Sequence, residues 1–369
     1  MNKNNNIFKI PVYEPYLNFL EKKYVNDCLK SNWISSRGLY VNKFEKKFSK
    51  FINIKYSSTC TNGTAAIHLA LLSLGIKAGD EVIVPTFTYV ATVNAIKYVG
   101  ATPVFVDSKI DTWQIDENKI GDKISKKTKA IMLVHVYGQV CDINKVIRIA
   151  KKKKIYLIED CAEAFGTYYK NKHVGTFGDI STFSFFGSKT ITTGEGGMVV
   201  SNKEKLIKKV NKFKNQGVVK NKGYFHNIIA YNYRMTNICA AIGLAQIEKA
   251  KKILNLKKKI FYTYEKYLGK NSKHLLKETK YTKSSFWLVG ILLPDSINRE
   301  NLILSLKKNG IEVKATFYPM HTLPMYKQKK NNFPNSITLG KKGLNLPSSP
   351  NLSEKKIQFI CNILNNYLK

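Results

Sequence analysis

The stretch Asp179-Ile-Ser-Thr-Phe-Ser-Phe-Phe-Gly-Ser-Lys-Thr-Ile-Thr-Thr-Gly-Glu-Gly-Gly-Met-Val-Val200 places one lysine, Lys189, among apolar, small and hydroxyl-bearing neighbours. The alternating run 181–186 predicts a buried strand, and Gly187 and Ser188 predict a turn from which the lysine projects. The three glycines of the Gly-Glu-Gly-Gly segment allow a tight reversal into a second strand over 198–201. We therefore expect a strand, a lysine-bearing turn and a returning strand.

A lysine in such surroundings has a chemical use. Burial in an apolar pocket disfavours the ammonium form, so the pKa of Lys189 falls and the neutral amine becomes a nucleophile that can form a Schiff base. Ser184 lies on the same predicted strand, close enough to bind a phosphate. The alternative is a hairpin that carries an incidental lysine.

Length and composition indicate a two-domain globular protein. The chain has 369 residues, and we place the boundary near residue 248, with a large domain over 1–248 and a small domain over 249–369. It has no apolar run of the roughly 20 residues that a membrane span needs. The polar first residues and six scattered cysteines without CxxC spacing favour a cytoplasmic location, free thiols and no metal site.

The formal charge of +36 raises the question of a polyanionic partner. Only four of the 61 basic residues are arginine, the residue that nucleic-acid readers favour for bidentate contacts. We therefore expect a solvated lysine surface, and neither a nucleic-acid nor a membrane partner. The positive field can still steer anionic substrates.

Strand-like runs over 81–85, 102–107, 130–136 and 155–159 alternate with helical stretches. This order predicts a parallel α/β sheet with its functional residues at the carboxyl ends of the strands.

Three local features suit a phosphorylated, planar cofactor at these strand ends. The small residues Gly63, Thr64 and Ala65 open a predicted helix, whose unpaired N–H groups attract phosphate, although many helices simply begin this way. Tyr89 follows a strand and can stack on a ring or belong to the core. Asp160 follows the strand at 155–159 and can keep a pyridine nitrogen protonated, or it can be a helix N-cap.

Two further segments are candidates for contact with a substrate. The segment 33–38 is either an exposed loop or a pocket wall in which Arg37 pairs with a phosphate and the serines donate hydrogen bonds. The loop 318–321 can cover a sugar, although a lone histidine is more often structural. The candidate substrate-binding residues are Trp33, Ser35, Arg37, Tyr318 and His321.

The sequence resembles fold-type-I PLP-dependent aminotransferases in the order of four features along the chain. These features are the glycine–threonine helix start, the aromatic residue, the strand-terminal aspartate and the strand-borne lysine. Residues 158–164, 183–189 and 193–197 are similar to the DegT-type sugar-nucleotide aminotransferases in particular, and the resemblance runs nearly end to end. It implies a mainly parallel central sheet flanked by helices, with a smaller C-terminal α/β domain.

The resemblance also implies roles for individual residues. Lys189 would bind pyridoxal 5'-phosphate (PLP) covalently and shuttle protons, Asp160 would pair with the pyridinium, and Glu163 would face the ring or the substrate. Tyr89 would stack on the ring, and the phosphate would be held by Gly63, Thr64, Ala65 and Ser184. Asn232 resembles an asparagine that reaches the cofactor of the neighbouring subunit, which implies a homodimer with shared sites, or a tetramer built from such dimers.

The implied reaction transfers an amino group from glutamate, with the pyridoxamine form (PMP) between the two halves. Residues 11–15, 33–38, 231–237 and 317–324 resemble members that aminate C4 of GDP-4-keto-6-deoxy-mannose for surface polysaccharide, ahead of UDP- or dTDP-linked sugars. A related dehydratase branch has histidine at the lysine position, so Lys189 favours transfer over dehydration. A basic binding protein that keeps the fold without activity is the remaining alternative.

Overall fold

The computed structural model describes residues 8–219, 221–328 and 332–368. The polar first residues, on which the expectation of a cytoplasmic location partly rests, lie outside these ranges. Within them the α-helices are α1 (Phe19–Lys30), α2 (Leu39–Ile52), α3 (Gly63–Leu74), α4 (Val90–Tyr98), α5 (Ile143–Lys153), α6 (Glu204–Lys214), α7 (Asn237–Glu248), α8 (Ala250–Leu268), α9 (Arg299–Lys308), α10 (Pro334–Lys342) and α11 (Glu354–Tyr367).

The strands form one large sheet and two small ones. Their bounds are β1 (Tyr56–Cys60), β2 (Glu81–Pro85), β3 (Thr102–Val106), β4 (Thr128–Val134), β5 (Tyr156–Asp160), β6 (Tyr168–Tyr169), β7 (Lys172–His173), β8 (Ile180–Ser184), β9 (Gly197–Ser201), β10 (Thr282–Lys283), β11 (Val289–Leu292), β12 (Lys314–Ala315) and β13 (Gly343–Leu346). The large sheet has the order β1-β9-β8-β5-β4-β2-β3, and the small sheets have the orders β10-β6-β7 and β11-β13-β12.

The large sheet is mainly parallel, as the strand–helix alternation predicts. Strands β8, β5, β4, β2 and β3 pair in parallel, whereas β9 pairs antiparallel with both β8 and β1. The antiparallel return follows from the glycine-rich segment after Lys189, which reverses the chain. The mainly parallel α/β fold is therefore confirmed.

Apolar residues cover both faces of this sheet. One core cluster joins it to α3, α4 and α6, and a second joins it to α2, α5 and α7. Because the central strands are buried on both faces, they read as continuous apolar runs such as residues 130–134 in β4, which are all buried.

A third core cluster lies in the C-terminal part of the chain, among α8, α9, α11 and the strands β11 and β13. Ile10 from the N-terminal segment also belongs to it and pairs with Ile311. Helix α7 ends and α8 begins on either side of Lys249, beside the boundary expected near residue 248. The division into two domains itself stays a prediction.

The carboxyl ends of the parallel strands bring distant residues together. Asp160 is the last residue of β5 and Ser184 the last of β8, and Asp160 stands in register with Thr182. Strand β8 thus ends two residues before the predicted bound, since the chain turns there toward Lys189. In the described part of the chain, no helix combines the length and the apolar character that crossing a membrane requires.

Candidate active site

A cavity of about 530 Å³ opens where the parallel strands end. Among its lining residues are Gly63, Thr64, Tyr89, Asp160, Glu163, Ser184 and Lys189, and the wall is completed by Asn62, Ile67, Thr88, Ala91, Thr92, Val134, Ala162, Phe186, Ser188, Glu195, Trp287, Lys314 and Phe317. The fold therefore brings seven of the predicted cofactor-binding positions into one cavity.

Lys189 projects into this cavity from the turn after β8. Its Nζ lies 3.6 Å from Oε1 of Glu163 and 4.0 Å from the ring centroid of Trp287. Burial is the largest influence and lowers the pKa of Lys189, while the negative charges of Glu163 and Asp160 oppose that shift. The result is an amine with a larger neutral fraction than an exposed lysine has, as nucleophilic or base chemistry requires.

Asp160 is buried at the end of β5. Its Oδ2 accepts a hydrogen bond from the Thr92 hydroxyl at 2.8 Å, and its Oδ1 accepts from the Ala162 N–H at 3.1 Å. Burial raises the pKa of Asp160, against the opposing effects of these hydrogen bonds and of Lys189. A cationic group in the cavity would stabilise the ionised carboxylate.

Glu163 is the second buried carboxylate of the cavity. Its Oε2 accepts a hydrogen bond from the main-chain N–H of Tyr137 at 3.0 Å, and burial raises the pKa of Glu163 while Lys189 opposes the shift. Tyr137 has a φ of 55°, in the left-handed region that non-glycine residues seldom occupy. This strained residue thus directs its N–H at the carboxylate that faces the lysine.

The start of α3 forms a cradle against the end of β8. Asn62 caps the helix by accepting from the Ala65 N–H at 2.8 Å, and the first N–H groups of a helix have no intrahelical acceptor. A Cβ on Gly63 would stand 2.8 Å from Cβ of Ser184, so only glycine fits at this contact. Gly63, Thr64 and Ser184 together offer main-chain and hydroxyl donors to an anion.

These residues fit PLP. The cradle provides donors for a phosphate, the Lys189 amine is the group that reacts with an aldehyde, and the buried Asp160 is the partner that a protonated ring nitrogen needs. Tyr89 stands at the cavity mouth with its ring centroid 5.8 Å from that of Phe317. The close contact at Gly63 holds the start of α3 against Ser184, so that the donors of the helix and of the strand face the same part of the cavity.

Ala65 and Asn232 lie outside this cavity. Ala65 is buried behind the cradle and its N–H is taken by Asn62. Asn232 is exposed, and its Oδ1 accepts from Nε of Arg234 at 3.0 Å. Their contacts with a cofactor stay predictions.

The segment 33–38 is also separate from the cavity within one chain. Trp33, Ser35 and Arg37 are exposed, and Asn237 anchors the segment by hydrogen bonds to the carbonyls of Trp33 and Ser35. Arg37 lines a second cavity of about 290 Å³ together with Lys214 and Arg234. This second cavity is rich in cations and lies on the face that carries Asn232.

Tyr318 and His321 are not brought to the lysine cavity. Tyr318 is exposed, whereas His321 is fully buried with Nδ1 2.7 Å from the Thr86 hydroxyl and its ring 4.4 Å from that of Phe333. The position of His321 matches the structural role that a lone histidine more often has. Substrate contact by either residue stays a prediction.

Sequence reasoning missed several residues of the cavity wall. Thr92 binds Asp160, and Trp287 lies under the Lys189 amine with its indole N–H on the Ser188 carbonyl at 2.7 Å. The ring of Tyr137 stacks between those of Trp287 and Phe317, with its centroid 5.8 Å from that of Trp287 and 5.5 Å from that of Phe317. Trp287 is distant in sequence and carries no local signal. Phe317 opens the segment 317–324 that resembles the family, but the resemblance gave it no role, whereas Thr92 follows a strand end and could have been proposed.

One buried cluster outside the cavity has the residue types of a metal site. Ligand atoms of His135, Glu159 and Cys161 lie within 4.8 Å of one another. The Glu159 carboxylate, however, already accepts hydrogen bonds from the ring of His135 and from the N–H groups of Gly175, Phe177 and Gly178. These bonds explain the cluster as an internal anchor of β5, and the absence of a metal stays a prediction.

Comparison with known proteins assigns the family. The profile of the DegT/DnrJ/EryC1/StrS aminotransferase family matches residues 16–365. The chain is 53% identical to the GDP-perosamine synthase of Escherichia coli over 97% of this chain and 98% of that protein, and 51% identical to that of Vibrio cholerae over 97% and 99%.

Solved structures agree with this assignment. A Streptococcus pneumoniae protein classed as a sugar aminotransferase, in its PMP-form, matches with a TM-score of 0.93 at 29% identity over 97% of both chains. Helicobacter pylori PseC, an aminotransferase involved in the biosynthesis of pseudoaminic acid, matches with a TM-score of 0.91 at 29% identity over 97% of this chain and 99% of that one. The chain belongs to the DegT/DnrJ/EryC1/StrS aminotransferase family.

Proposed function

We propose that this protein transfers an amino group from glutamate to C4 of GDP-4-keto-6-deoxy-mannose and so forms GDP-perosamine. One observation carries the proposal: a chain more than half identical, over nearly its full length, to two GDP-perosamine synthases retains, in the cavity that fits PLP, a lysine whose pKa is lowered by burial. The intact Lys189 favours transfer over the dehydratase alternative. The likeness to the GDP-linked enzymes favours GDP over UDP or dTDP.

The residues of the cavity divide the work. PLP, when bound, supplies an electron sink for the carbanion that forms as a proton leaves carbon. Asp160 holds a positive charge at the ring nitrogen because an ion pair favours the charged form of both partners. The cradle of Gly63, Thr64 and Ser184 would hold the phosphate and so keep the cofactor beside Lys189.

Lys189 is the proton carrier. Its neutral amine takes the proton from the α-carbon of glutamate, and in the second half of the reaction its ammonium form delivers a proton to C4 of the sugar. The carboxylate of Glu163, 3.6 Å from Nζ, stabilises the lysine while it carries that proton. Lys314 is a further cation in the cavity wall and suits the diphosphate of the substrate.

The proposal includes a homodimer in which each subunit completes the other's site. The second cavity, which is rich in cations, lies on the surface together with Asn232 and Arg37. At that position these groups are accessible to a partner subunit. Large apolar side chains are exposed near these residues in sequence, including Trp33, Tyr224 and Ile229. Such residues are typical of interfaces. A tetramer would be built from two such dimers.

Complementation between inactive subunits tests shared sites. Lys189→Ala and Asn232→Asp homodimers are each expected to be nearly inactive. Mixed after partial unfolding and refolding together, they should form heterodimers with one intact site and regain part of the activity. Light scattering gives the assembly state, and an active monomer, or no gain in the mixture, would contradict the shared site.

The proposal also places the enzyme in the cytoplasm and its product in the synthesis of surface polysaccharide such as O-antigen. The six cysteines support a reducing compartment, since each is free and five are buried.

A product assay tests the proposed substrate. The protein, PLP and glutamate would be supplied in parallel with GDP-4-keto-6-deoxy-mannose and with UDP- and dTDP-linked 4-keto-6-deoxy sugars, and products identified by mass spectrometry. Amination of the GDP compound alone is expected. Turnover of a UDP or dTDP compound alone would leave the family assignment intact but would contradict the proposed GDP-linked substrate.

A further inference from the structure

Hydrogen bonds hold both peptide groups that flank the Cα of Lys189. On the preceding peptide, the Ser188 carbonyl accepts from Nε1 of Trp287 at 2.7 Å, and the Lys189 N–H donates to the Phe186 carbonyl at 2.9 Å. On the following peptide, the Lys189 carbonyl accepts from the Tyr13 hydroxyl at 2.9 Å. Because these two planes fix the backbone torsions, they fix the direction in which the side chain leaves the turn.

Tyr13 reaches this turn on an N-terminal strap, residues 10–14, that is bound to the C-terminal part of the chain. The Val12 N–H donates to Oε2 of Glu312 at 2.9 Å, and the Ser348 N–H donates to the Val12 carbonyl at 2.8 Å. Burial raises the pKa of the Tyr13 hydroxyl, which therefore remains a protonated donor at neutral pH. The strap thus delivers a fixed hydrogen-bond donor to the lysine turn.

A buried lysine that the proposed reaction does not use supports the strap from below. Lys257 of α8 is 1% exposed, and its Nζ donates to the Ser348 carbonyl and lies over the Tyr13 ring, 4.8 Å from the centroid. Burial lowers the pKa of Lys257 well below its usual value, and no carboxylate among the described residues opposes this shift. A polar group placed there needs its hydrogen bond, so Lys257 ties the Ser348 segment to the strap.

We propose that Tyr13 and Lys257 are positioning residues that aim the Lys189 amine into its cavity through the hydrogen bond from the Tyr13 hydroxyl to the Lys189 carbonyl. Lys257 acts on Tyr13, and Tyr13 acts on the lysine turn. The C-terminal segment around Ser348 is thereby coupled to the reacting amine. The orientation of the Lys189 amine does not depend on the sugar substrate. Only the kinetic part of the test below therefore rests on the proposed function.

Two tyrosines provide a matched pair for the test. The Tyr169 hydroxyl also donates a hydrogen bond, at 2.8 Å to Oδ1 of Asp142, but this bond involves neither the strap, nor the Ser348 segment, nor the lysine turn. Tyr13→Phe and Tyr169→Phe therefore each remove one tyrosine hydroxyl hydrogen bond, and only the first lies on the proposed route. A general loss of stability should appear in both variants, whereas a change in the orientation of the Lys189 amine should appear only in Tyr13→Phe.

The first readout is the chemical labelling of Lys189 in the cofactor-free protein. Acetic anhydride would be applied at low conversion across a pH series, and acetylation measured on the peptide that contains Lys189. In Tyr13→Phe the loosened side chain becomes more solvated, so its labelling midpoint should move up toward that of an ordinary lysine. In Tyr169→Phe the midpoint should stay at the wild-type value. An unchanged midpoint in Tyr13→Phe would overturn the inference.

The second readout is steady-state amino transfer. Tyr13→Phe should lower kcat about tenfold with little change in KM, because misplacement of a reacting group costs rate more than binding. Lys257→Met, which keeps the aliphatic stem, should shift both readouts in the same direction by less, and the double variant should be no worse than Tyr13→Phe alone. Fully additive effects would contradict a shared route, whereas a labelling shift without GDP-sugar turnover would contradict only the proposed substrate.

Discussion

The Nζ of Lys189 lies 3.6 Å from Oε1 of Glu163, and both side chains are largely withdrawn from solvent. The carboxylate opposes the lowering of the Lys189 pKa that burial causes. The two residues therefore set the protonation state of the amine between them, and this balance can be tested from either side.

Removing the negative charge in Glu163→Gln should lower the pKa of Lys189 further, since burial then acts with less opposition. The neutral, reactive amine would persist to lower pH, so the labelling curve of Lys189 in the cofactor-free protein should move toward acid. Glu204→Gln, an exposed change on α6, serves as the control. A curve that moved toward alkali would show that Glu163 does not support the ammonium form.

Replacing Asp160 by asparagine should lower kcat by about 10²–10³-fold, the usual effect of losing one preorganised charge in a reacting site. Thr92→Val should give a smaller loss in the same direction, because the Thr92 hydroxyl lowers the pKa of Asp160 and supports its ionised form. Steady-state kinetics with saturating PLP measure both effects. A fully active Asp160→Asn enzyme would rule out the ring-nitrogen role.

Although Asp160→Asn should lower kcat, it should not lower the stability of the cofactor-free protein. Burial raises the pKa of Asp160 in the folded state, so its contribution to stability is present at low pH and falls as pH rises between the unfolded and folded pKa values. Asp160→Asn should therefore match or exceed the wild type in free energy of unfolding at neutral pH. Urea unfolding without PLP measures this, and a clearly less stable variant would show that the carboxylate is structural.

Gly63→Ala should weaken PLP binding about tenfold or more, since an added methyl group that overpacks a site costs about 1–3 kcal/mol. The new Cβ would stand 2.8 Å from that of Ser184 and force the cradle apart. Gly121→Ala is the matched control because its added Cβ would meet open space. The two variants would be compared by PLP titration, and equal affinities would remove the cradle from the cofactor site.

Glu159→Gln should lower the free energy of unfolding by about 3 kcal/mol, because an amide cannot accept all the donors that converge on this buried carboxylate. Burial alone would raise the pKa of Glu159, but His135 and the main-chain hydrogen bonds together outweigh burial and lower the pKa. The stabilisation by Glu159 is therefore present above the unfolded pKa and is lost as pH falls through the folded one. Urea unfolding at neutral and acid pH measures this. Equal stabilities at neutral pH would contradict the anchor role.

Much of the site could be predicted because parallel strands end at one edge of the sheet. Asp160 and Ser184 terminate β5 and β8, and Gly63 opens the helix after β1, so chemistry at strand ends converges whatever the intervening loops do. The glycine-rich segment after Lys189 likewise predicted the chain reversal into β9. These features are local in sequence, and the structure confirms the fold that they indicated.

The rest of the site depends on contacts between distant segments. Trp287 and Phe317 come from the C-terminal part of the chain and enclose the lysine only through tertiary packing. His321 lies in a string that resembles the family, yet the fold buries it against Phe333 and Thr86. Asn232 and Arg37 lie outside the lysine cavity of their own chain, and their part in a neighbouring subunit's site stays a proposal.

The most direct test of the proposed reaction follows the nitrogen atom. Wild-type protein, Lys189→Ala and the exposed control Lys208→Ala would be incubated with PLP, ¹⁵N-glutamate and GDP-4-keto-6-deoxy-mannose, and the GDP-sugar analysed by mass spectrometry. We expect ¹⁵N at C4 of the product with wild type and Lys208→Ala, and a rate at least about 10⁴-fold lower with Lys189→Ala, since in the proposed reaction Lys189 both carries protons and binds the cofactor covalently. Unlabelled product, or comparable transfer by Lys189→Ala, would contradict it.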